Sequence, residues 1–154
     1  MSSPPSLLAI EIRPATAADA PEISRLANAT PGAASWSGQH FLESSGGDFA
    51  VWVAVADGTI AGFLIARAAA DESELLNMGV RQAFRRCKVG ARLLDTAVGF
   101  ARAYGATRMF LEVRGSNRTA IAFYKWAGFE ESGRRKAYYG NPTEDARLLT
   151  LRIK

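Results

Sequence analysis

The chain of 154 residues contains very little cysteine and histidine, with one residue of each at Cys87 and His40. A structural zinc site usually takes four such ligands, so the sequence predicts no metal. A single cysteine excludes an intramolecular disulfide and is consistent with a reducing, cytoplasmic location. Ser-His-Asp or Cys-His catalysis would depend on His40, which lies in a polar stretch at a predicted helix start, and is therefore disfavoured.

Long apolar runs are also absent. No segment approaches the roughly 18 residues that a membrane-spanning helix needs, and the N-terminus lacks the basic start of a secretory signal. We therefore expect neither a membrane association nor export. The length fits one domain, covering residues 1–154, and a hydrophobic content of 48% allows a sizeable core.

Two common nucleotide-binding motifs, G-x-x-x-x-G-K-[ST] and G-x-G-x-x-G, do not occur, which disfavours a nucleotide triphosphatase or a dinucleotide dehydrogenase. Positive charge is present instead: the net charge is +4, with basic residues concentrated at 81–92 and 134–136. Such a surface suits ribosomes, nucleic acid or a polyphosphate ligand. Because the chain has no long basic tail, we do not expect direct binding of nucleic acid by a disordered arm.

Hydrophobic periodicity and turn signals predict the order β-α-α-β-β-β-α-β-α-β-β. The predicted strands cover 8–13, 49–56, 59–68, 74–80, 109–113, 129–139 and 146–153, and the predicted helices cover 16–27, 38–43, 89–104 and 117–127. A capping box at 16–19, a hairpin turn at 57–58 and helix-ending glycines at Gly105 and Gly128 mark the boundaries. The order predicts an α/β (α+β) fold with a mixed sheet, different from a doubly wound Rossmann fold.

The first candidate site is the loop at 85–91, which leads into a strongly amphipathic helix. Unpaired N–H groups at a helix start bind phosphate well, and neighbouring arginines add full charges. A solvated basic helix start explains the same residues equally well. We interpret Cys87, the single thiol in this loop, as a bystander.

Glu112 is the second candidate, since it interrupts the apolar run at 109–113. A carboxylate buried there is costly unless it is paired, and burial would raise its pKa towards the range of a general base. A salt bridge to Arg114 or Arg108, or simple exposure at a sheet edge, is the simpler explanation.

Asn117 and Tyr124 form a third candidate because a spacing of seven residues places them on one helix face. A tyrosine hydroxyl can protonate a leaving group, but a tyrosine such as Tyr124, beside Phe123 and Trp126, is more often a core aromatic. Asn117 could be a helix cap. Tyr138 and Tyr139 could pack against an extended peptide or form an exposed strand end.

Taken together, these stretches resemble the GNAT acetyltransferase superfamily over nearly the whole chain. The resemblance rests on residues 75–80, 111–117, 120–124, 128–129 and 134–139, with Trp36 and Ser37. Within the superfamily the chain is similar to the bacterial ribosomal-protein alanine N-acetyltransferase branch. The resemblance implies the GNAT fold, with about seven strands, about four helices and a sheet splayed at the fourth and fifth strands.

The resemblance also implies roles for the candidate residues. Glu112 would be the general base, Tyr124 would protonate the thiolate, and Tyr138 with Tyr139 would hold the acceptor peptide. Acetyl-CoA would be bound by a set of residues from strand, loop and helix: Met78, Gly79, Val80, Arg85, Arg86, Cys87, Lys88, Val89, Gly90, Ala91 and Asn117.

The chain departs from the family's loop at two positions. Lys88 replaces the first glycine of the loop, and Gln82 stands where a proline is usual. If the backbone needs a positive φ at Lys88, the side chain is strained there, and it also affects the approach of a phosphate.

The sequence therefore predicts transfer of acetyl from acetyl-CoA to a primary amine, with a protein N-terminus, such as that of a ribosomal protein, as the first choice. A lysine side chain, a polyamine or an antibiotic amine are alternative acceptors, and a non-catalytic acyl-CoA-binding module is the alternative outside enzymes. The sequence is compatible with a monomer or a dimer.

Overall fold

The computed structural model describes residues 9–29, 48–85, 88–140 and 143–154. The predicted helix at 38–43, His40, Trp36 and Ser37, and the loop residues Arg86 and Cys87 lie outside the described residues.

A seven-stranded mixed sheet forms the centre of the fold. Its strands are β1 (Ile10–Pro14), β2 (Phe49–Ala56), β3 (Thr59–Ala69), β4 (Glu72–Val80), β5 (Arg108–Arg114), β6 (Glu130–Tyr139) and β7 (Glu144–Arg152). The order across the sheet is β1-β2-β3-β4-β5-β7-β6. Neighbouring strands are antiparallel except β4 and β5, which are parallel.

Three α-helices are described: α1 (Ala20–Ala29), α2 (Val89–Ala103) and α3 (Arg118–Trp126). A 3-10 turn at Ala17–Asp19 precedes α1, and another at Gln82–Phe84 follows β4. Gly105 and Gly128 follow α2 and α3 with φ of 91° and 110°, a conformation that glycine adopts without steric cost. Within the described residues, no helix combines the length and apolar character needed to cross a membrane.

The sheet has an apolar layer on each face. One layer packs Ile23 and Leu26 of α1 against Phe63 and Ile65 of β3. The other packs α2 and α3 against alternating residues of the same strands, including Leu64. Because side chains alternate along a strand, β3 serves both layers and is almost completely buried.

A β-bulge at Leu76 changes which residues of β4 face α2. Ala66 pairs with Leu75 and Ile65 with Asn77, so Leu76 is an extra residue in the ladder. The bulge shifts the alternation by one position. As a result Met78 and Val80 join Leu75 in the layer under α2 and α3.

The sheet is splayed between β4 and β5. Their register pairs join residues 72–74 to 108–110, whereas β4 continues to Val80 and β5 to Arg114. Over the second half of both described strands, the facing edges therefore form no ladder with each other. This confirms the splay expected from the resemblance.

The fold class and the order of the described elements are confirmed. The predicted bounds of β2 agree with the structure, β3 and β4 are slightly longer than predicted, and β7 starts two residues earlier. The first helical segment begins as a 3-10 turn before it continues as α1.

Candidate functional site

A cavity of about 1030 Å³ opens where β4 and β5 separate. Its walls come from β4, the start of α2, β5, α3 and the end of β6. It brings together most of the residues that the sequence singles out: Met78, Gly79, Val80, Arg85, Lys88, Val89, Gly90, Ala91, Glu112, Asn117, Tyr124 and Tyr139. Tyr138 does not line it, and Arg86 and Cys87 lie outside the described residues.

The part of the cavity wall that β4 forms exposes main-chain groups to the cavity. On its other edge β4 pairs with β3 as far as Val80, which pairs with Gly62. A Cβ built on Gly62 would lie 2.8 Å from the carbonyl oxygen of Gly79 and close to Val89 and Leu93, so only glycine allows this close packing. The contact holds the β4 end against the first turn of α2.

The start of α2 forms the end of the cavity nearest Val80. Lys88 caps the helix in the left-handed conformation, with φ of 65° and ψ of 15°, without a hydrogen bond from its side chain to the helix. The strain that the sequence anticipates at this position is therefore present. Val89 anchors the first turn in the core, while Lys88 is exposed beside the cavity. First-turn N–H groups and the nearby cation give this end positive potential.

Glu112 lies on β5 and faces away from the layer that contains Leu111 and Val113. Its carboxylate is 13% exposed and forms an ion pair with Arg135, with Oε1 and Nε 3.2 Å apart. The partner comes from β6, whereas Arg108 and Arg114 pair with Glu72 and Glu144. The salt bridge is thus present, but the partners considered from the sequence are wrong. The long side chain of Arg135 reaches Glu112 across β7, which lies between β5 and β6.

Glu74 is a second carboxylate near Glu112. Burial raises the pKa of Glu74 above its ordinary value, and the charge of Glu112 raises the pKa of Glu74 further. Arg67, whose Nη2 lies 2.7 Å from Oε1 of Glu74, acts in the opposite direction. Two carboxylates, each paired with an arginine, therefore lie at the narrow end of the splay.

Tyr124 enters the cavity from the opposite layer, on α3. The residue is 7% exposed and packs edge-on against Phe123 and Phe129. Burial raises the pKa of Tyr124 well above the usual value of a tyrosine. The hydroxyl therefore stays protonated and can act as a hydrogen-bond donor throughout the neutral range.

Asn117 is a helix cap that also lies at the cavity. Its Oδ1 accepts a hydrogen bond of 3.2 Å from the N–H of Ala120 and so caps α3. The residue also lines the cavity.

The two tyrosines of β6 differ in position. Tyr139 lines the cavity, and burial, followed by the charge of Glu112, raises its pKa to about 12. The guanidinium of Arg114 lies 4.5 Å from the centre of its ring. Tyr138 is 50% exposed and has Arg135 over its ring at 5.1 Å. An irregular pairing between Arg135 and Tyr139, with φ of 50° at Ala137, separates the environments of the two rings.

Several residues of the site have no clear signal in the sequence. Arg135 belongs to the basic cluster at 134–136, which no pattern in the sequence connects with Glu112, and Glu74 is only the first residue of a predicted strand. Phe123 and Trp126 also line the cavity, although Trp126 stands beside core aromatics in the sequence. The periodicity of α3 could have separated Trp126 from Tyr124, since two residues on a helix point in different directions.

Comparison with known proteins gives related sequences over most of the chain. The model of the acetyltransferase (GNAT) family matches residues 19–129. The [ribosomal protein bS18]-alanine N-acetyltransferase of Salmonella typhimurium is 35% identical over 136 residues, which cover 86% of this chain and 88% of that protein.

Solved structures share the fold. The ribosomal-protein-S18-alanine N-acetyltransferase of Escherichia coli superposes with a TM-score of 0.83 at 29% identity, covering 95% of each chain. NAA60 of Arabidopsis thaliana, solved in complex with acetyl-CoA, gives a TM-score of 0.82 at 20% identity, covering 94% of this chain and 99% of that one. At this lower identity the likeness concerns the fold.

Proposed function

Because the chain belongs to the acetyltransferase (GNAT) family and is an acetyl-CoA-dependent N-acetyltransferase, we propose that the cavity at the splay binds acetyl-CoA and directs its thioester towards a protein N-terminus. The observation that carries this proposal is the meeting of three features in one cavity. They are a β4 edge that forms no ladder there, the start of α2, and the carboxylate of Glu112.

The donor side follows from the backbone. Residues 78–80 have one edge on β3 and the other on the cavity, so their N–H and C=O groups suit the amides of the pantetheine arm. The start of α2 suits the diphosphate, and Arg85 and Lys88 supply cations beside it. Gly90 has no side chain and Ala91 has only a methyl group, so the backbone there allows close approach. Asn117 completes the donor site from α3.

Acetyl-CoA supplies the acyl group as a thioester, and the chain's residues prepare the amine. An α-ammonium has a pKa near 8, whereas a lysine ammonium has a pKa near 10.4, so an N-terminus loses its proton more readily near neutrality. Glu112 is the carboxylate in place to accept that proton, directly or through a water. This difference favours an N-terminal acceptor over a lysine side chain.

Tyr124 faces the departing sulfur in this arrangement. Its raised pKa lies far above that of a thiol, which is near 8.5, so complete transfer of its proton to a thiolate is unfavourable in the unoccupied site. We assign Tyr124 as a hydrogen-bond donor that stabilises negative charge on sulfur as the C–S bond breaks. Solvent or the proton released by the amine then neutralises the thiolate.

The acceptor side is formed by β5 and β6. Arg135, whose side chain is 60% exposed, forms the ion pair with Glu112. An incoming ammonium can replace Arg135 as the partner of this carboxylate. Tyr139 and Tyr138 offer rings and hydroxyls to an extended peptide. Two of the relatives, from Salmonella typhimurium and Escherichia coli, are alanine N-acetyltransferases of a ribosomal protein, which makes such an N-terminus, in the cytoplasm, the first acceptor to test.

The experiment is an acceptor screen in which purified protein and acetyl-CoA are incubated with peptides and read by mass spectrometry. Peptides with an N-terminal alanine from a ribosomal protein should gain one acetyl group at the α-amine. The same peptides blocked at the N-terminus but carrying lysine are the matched control. Acetylation of the blocked peptides, of polyamines or of antibiotic amines alone would contradict the proposed acceptor, and acetyl-CoA binding without any transfer would favour the non-catalytic alternative.

A further inference from the structure

Trp126 is the most exposed large hydrophobic side chain of the described residues. It is 74% exposed, compared with 50% for Tyr138 and 43% for Tyr104. Isolated exposed apolar residues are common, so exposure by itself indicates no site. Its position is what distinguishes Trp126, because it lines both the large cavity and a second, smaller groove.

A short series of contacts connects Trp126 with the start of α2. A Cβ built on Gly90 would lie 3.4 Å from Cζ of Phe123, and the ring of Phe123 lies 6.1 Å from that of Trp126 with 30° between the planes. The indole is therefore the next aromatic surface beyond the place proposed for the diphosphate. It lies on the outer side, because Tyr124 takes the inner side of α3.

The second groove has a volume of about 490 Å³ and shares Ala91 and Trp126 with the large cavity. Its lining contains three cationic side chains, Arg102, Arg152 and Lys154, and the carboxylate of Asp95. Most of its remaining lining residues are apolar. A planar aromatic group that carries a phosphate fits this combination of an exposed ring and an excess of positive charge.

We propose that Trp126 stacks on the adenine of acetyl-CoA and that the groove beside it receives the 3′-phosphate. The inference rests on the proposed function, since it needs the diphosphate at the start of α2. In acetyl-CoA the adenosine is attached to one end of the diphosphate, and the pantetheine arm with its thioester is attached to the other end. If the thioester points to Glu112, the adenosine must lie outside, and Trp126 is the aromatic surface found there.

The test compares two donors by calorimetry: acetyl-CoA, and S-acetyl-4′-phosphopantetheine, which lacks the adenosine bisphosphate. Base–aromatic stacking of the usual strength predicts that Trp126→Ala weakens acetyl-CoA binding roughly tenfold. Binding of the truncated donor should be unchanged by the same substitution. Trp126→Phe, which keeps a ring, should recover part of the affinity, and Tyr104→Ala, which removes an exposed ring that lines neither cavity, should have no effect.

Steady-state kinetics give a second measurement. A contact made equally before and during the reaction raises KM for acetyl-CoA in Trp126→Ala and leaves kcat unchanged. Adenosine 3′,5′-bisphosphate should quench the tryptophan fluorescence of the wild type more than that of Trp126→Phe, because stacking quenches an exposed indole and the substitution removes the indole beside the groove.

Equal losses for both donors, or no loss for acetyl-CoA, would overturn the role of Trp126 and leave the proposed function standing. If Trp126 instead meets a partner protein, the substitution would leave both affinities unchanged. If the wild type binds neither donor, the proposed function itself fails, so the two failures can be told apart.

Discussion

At the scale of single residues, the carboxylate of Glu112 is held by a partner that a substrate can replace. Arg135 reaches it from an exposed position on β6, so the ion pair is partly screened by solvent and contributes little stability. Replacement of the Arg135 guanidinium by a substrate ammonium at this carboxylate therefore requires little free energy. The site can bind an ammonium without exposing an unpaired buried charge.

We expect Glu112→Gln to lower kcat/KM about a hundredfold at pH 7, within the usual range for loss of a general base. The deficit should shrink above pH 8, because an α-amine with a pKa near 8 is then already neutral. Rates measured with a peptide acceptor between pH 6 and 9.5 test this. Glu131→Gln, which alters a carboxylate that does not line the cavity, is the control, and a deficit independent of pH would contradict the assignment.

Tyr124→Phe should lower kcat about tenfold, the effect of losing one hydrogen bond to a charged acceptor. Because burial raises the pKa of Tyr124 well above its ordinary value, the hydroxyl stays protonated over the working range. The shape of the kcat profile between pH 6 and 9 should therefore be the same in the variant and the wild type. If a rising or falling part of the wild-type kcat profile is absent in Tyr124→Phe, Tyr124 titrates during turnover.

At the scale of elements, the entry into α2 combines a functional position with a strained backbone. Lys88 adopts a positive φ that costs a residue with a Cβ roughly 1–2 kcal/mol. Strain of this kind is commonly kept where a site needs the side chain or the backbone direction. Here the side chain adds a cation beside the proposed diphosphate site.

Lys88→Gly should raise the free energy of unfolding by up to about 1 kcal/mol, since relief of the positive φ exceeds the extra entropy of glycine in the unfolded chain. The corresponding gain in Tm is about 2–4 °C for a chain of this size. Lys88→Ala keeps the Cβ and removes the charge, so it should bring no such gain. Both variants should bind acetyl-CoA more weakly than wild type at low salt. If Lys88→Gly is no more stable than Lys88→Ala, the positive φ of Lys88 does not strain the fold.

Elements whose signals are local could be predicted from the sequence. The bounds of β2 and the turn at Asp57 and Gly58 follow from alternating apolar residues and a residue pair that accepts positive φ, and both have positive φ in the structure. The candidate residues on β4, α2 and α3 also meet in one cavity, as the resemblance implies.

Features that depend on register could not be predicted in this way. The bulge at Leu76 reverses the facing of Met78 and Val80, and an unbroken alternation would place them on the wrong face. The pairing of Glu112 with Arg135 requires the order β5-β7-β6, which no local pattern encodes. The different exposure of Tyr138 and Tyr139 results from the irregular pairing near Ala137.

At the scale of the whole molecule, a partly buried ion pair joins the first strand to the 3-10 turn that leads into α1. Arg13 contacts both carboxylate oxygens of Asp19 at 2.8 and 3.0 Å, and the same carboxylate accepts the N–H of Thr16 at 2.7 Å. This is the reciprocal half of the capping box that the sequence predicts. The hydrogen bond from Arg13, followed by that from Thr16, lowers the pKa of Asp19 from 3.8 to about 2.

A lowered pKa in the folded state means that Asp19 stabilises the fold fully above about pH 4. The contribution, at most about 2 kcal/mol because Arg13 is partly exposed and the pair is screened by solvent, is lost as the pH falls towards 2. Asp19→Asn should therefore reduce the free energy of unfolding by about that amount at pH 7 and flatten its dependence on pH between 4 and 2. Urea unfolding at several pH values measures both effects.

The exposed carboxylate of Asp71, in the turn between β3 and β4, provides the matched substitution Asp71→Asn. It should leave stability at pH 7 within a few tenths of a kcal/mol. A loss as large as that of Asp19→Asn would mean that general surface charge, and not the contact with Arg13, governs acid sensitivity.

The splay between β4 and β5 leaves the molecule with a sheet that is interrupted at its centre. In the donor arrangement proposed above, the pantetheine arm supplies amides along residues 78–80, where a neighbouring strand would otherwise run. The substrate then acts as a missing piece of secondary structure, and the protein attains a continuous hydrogen-bonded layer only during its working cycle. Each release of product reopens that seam.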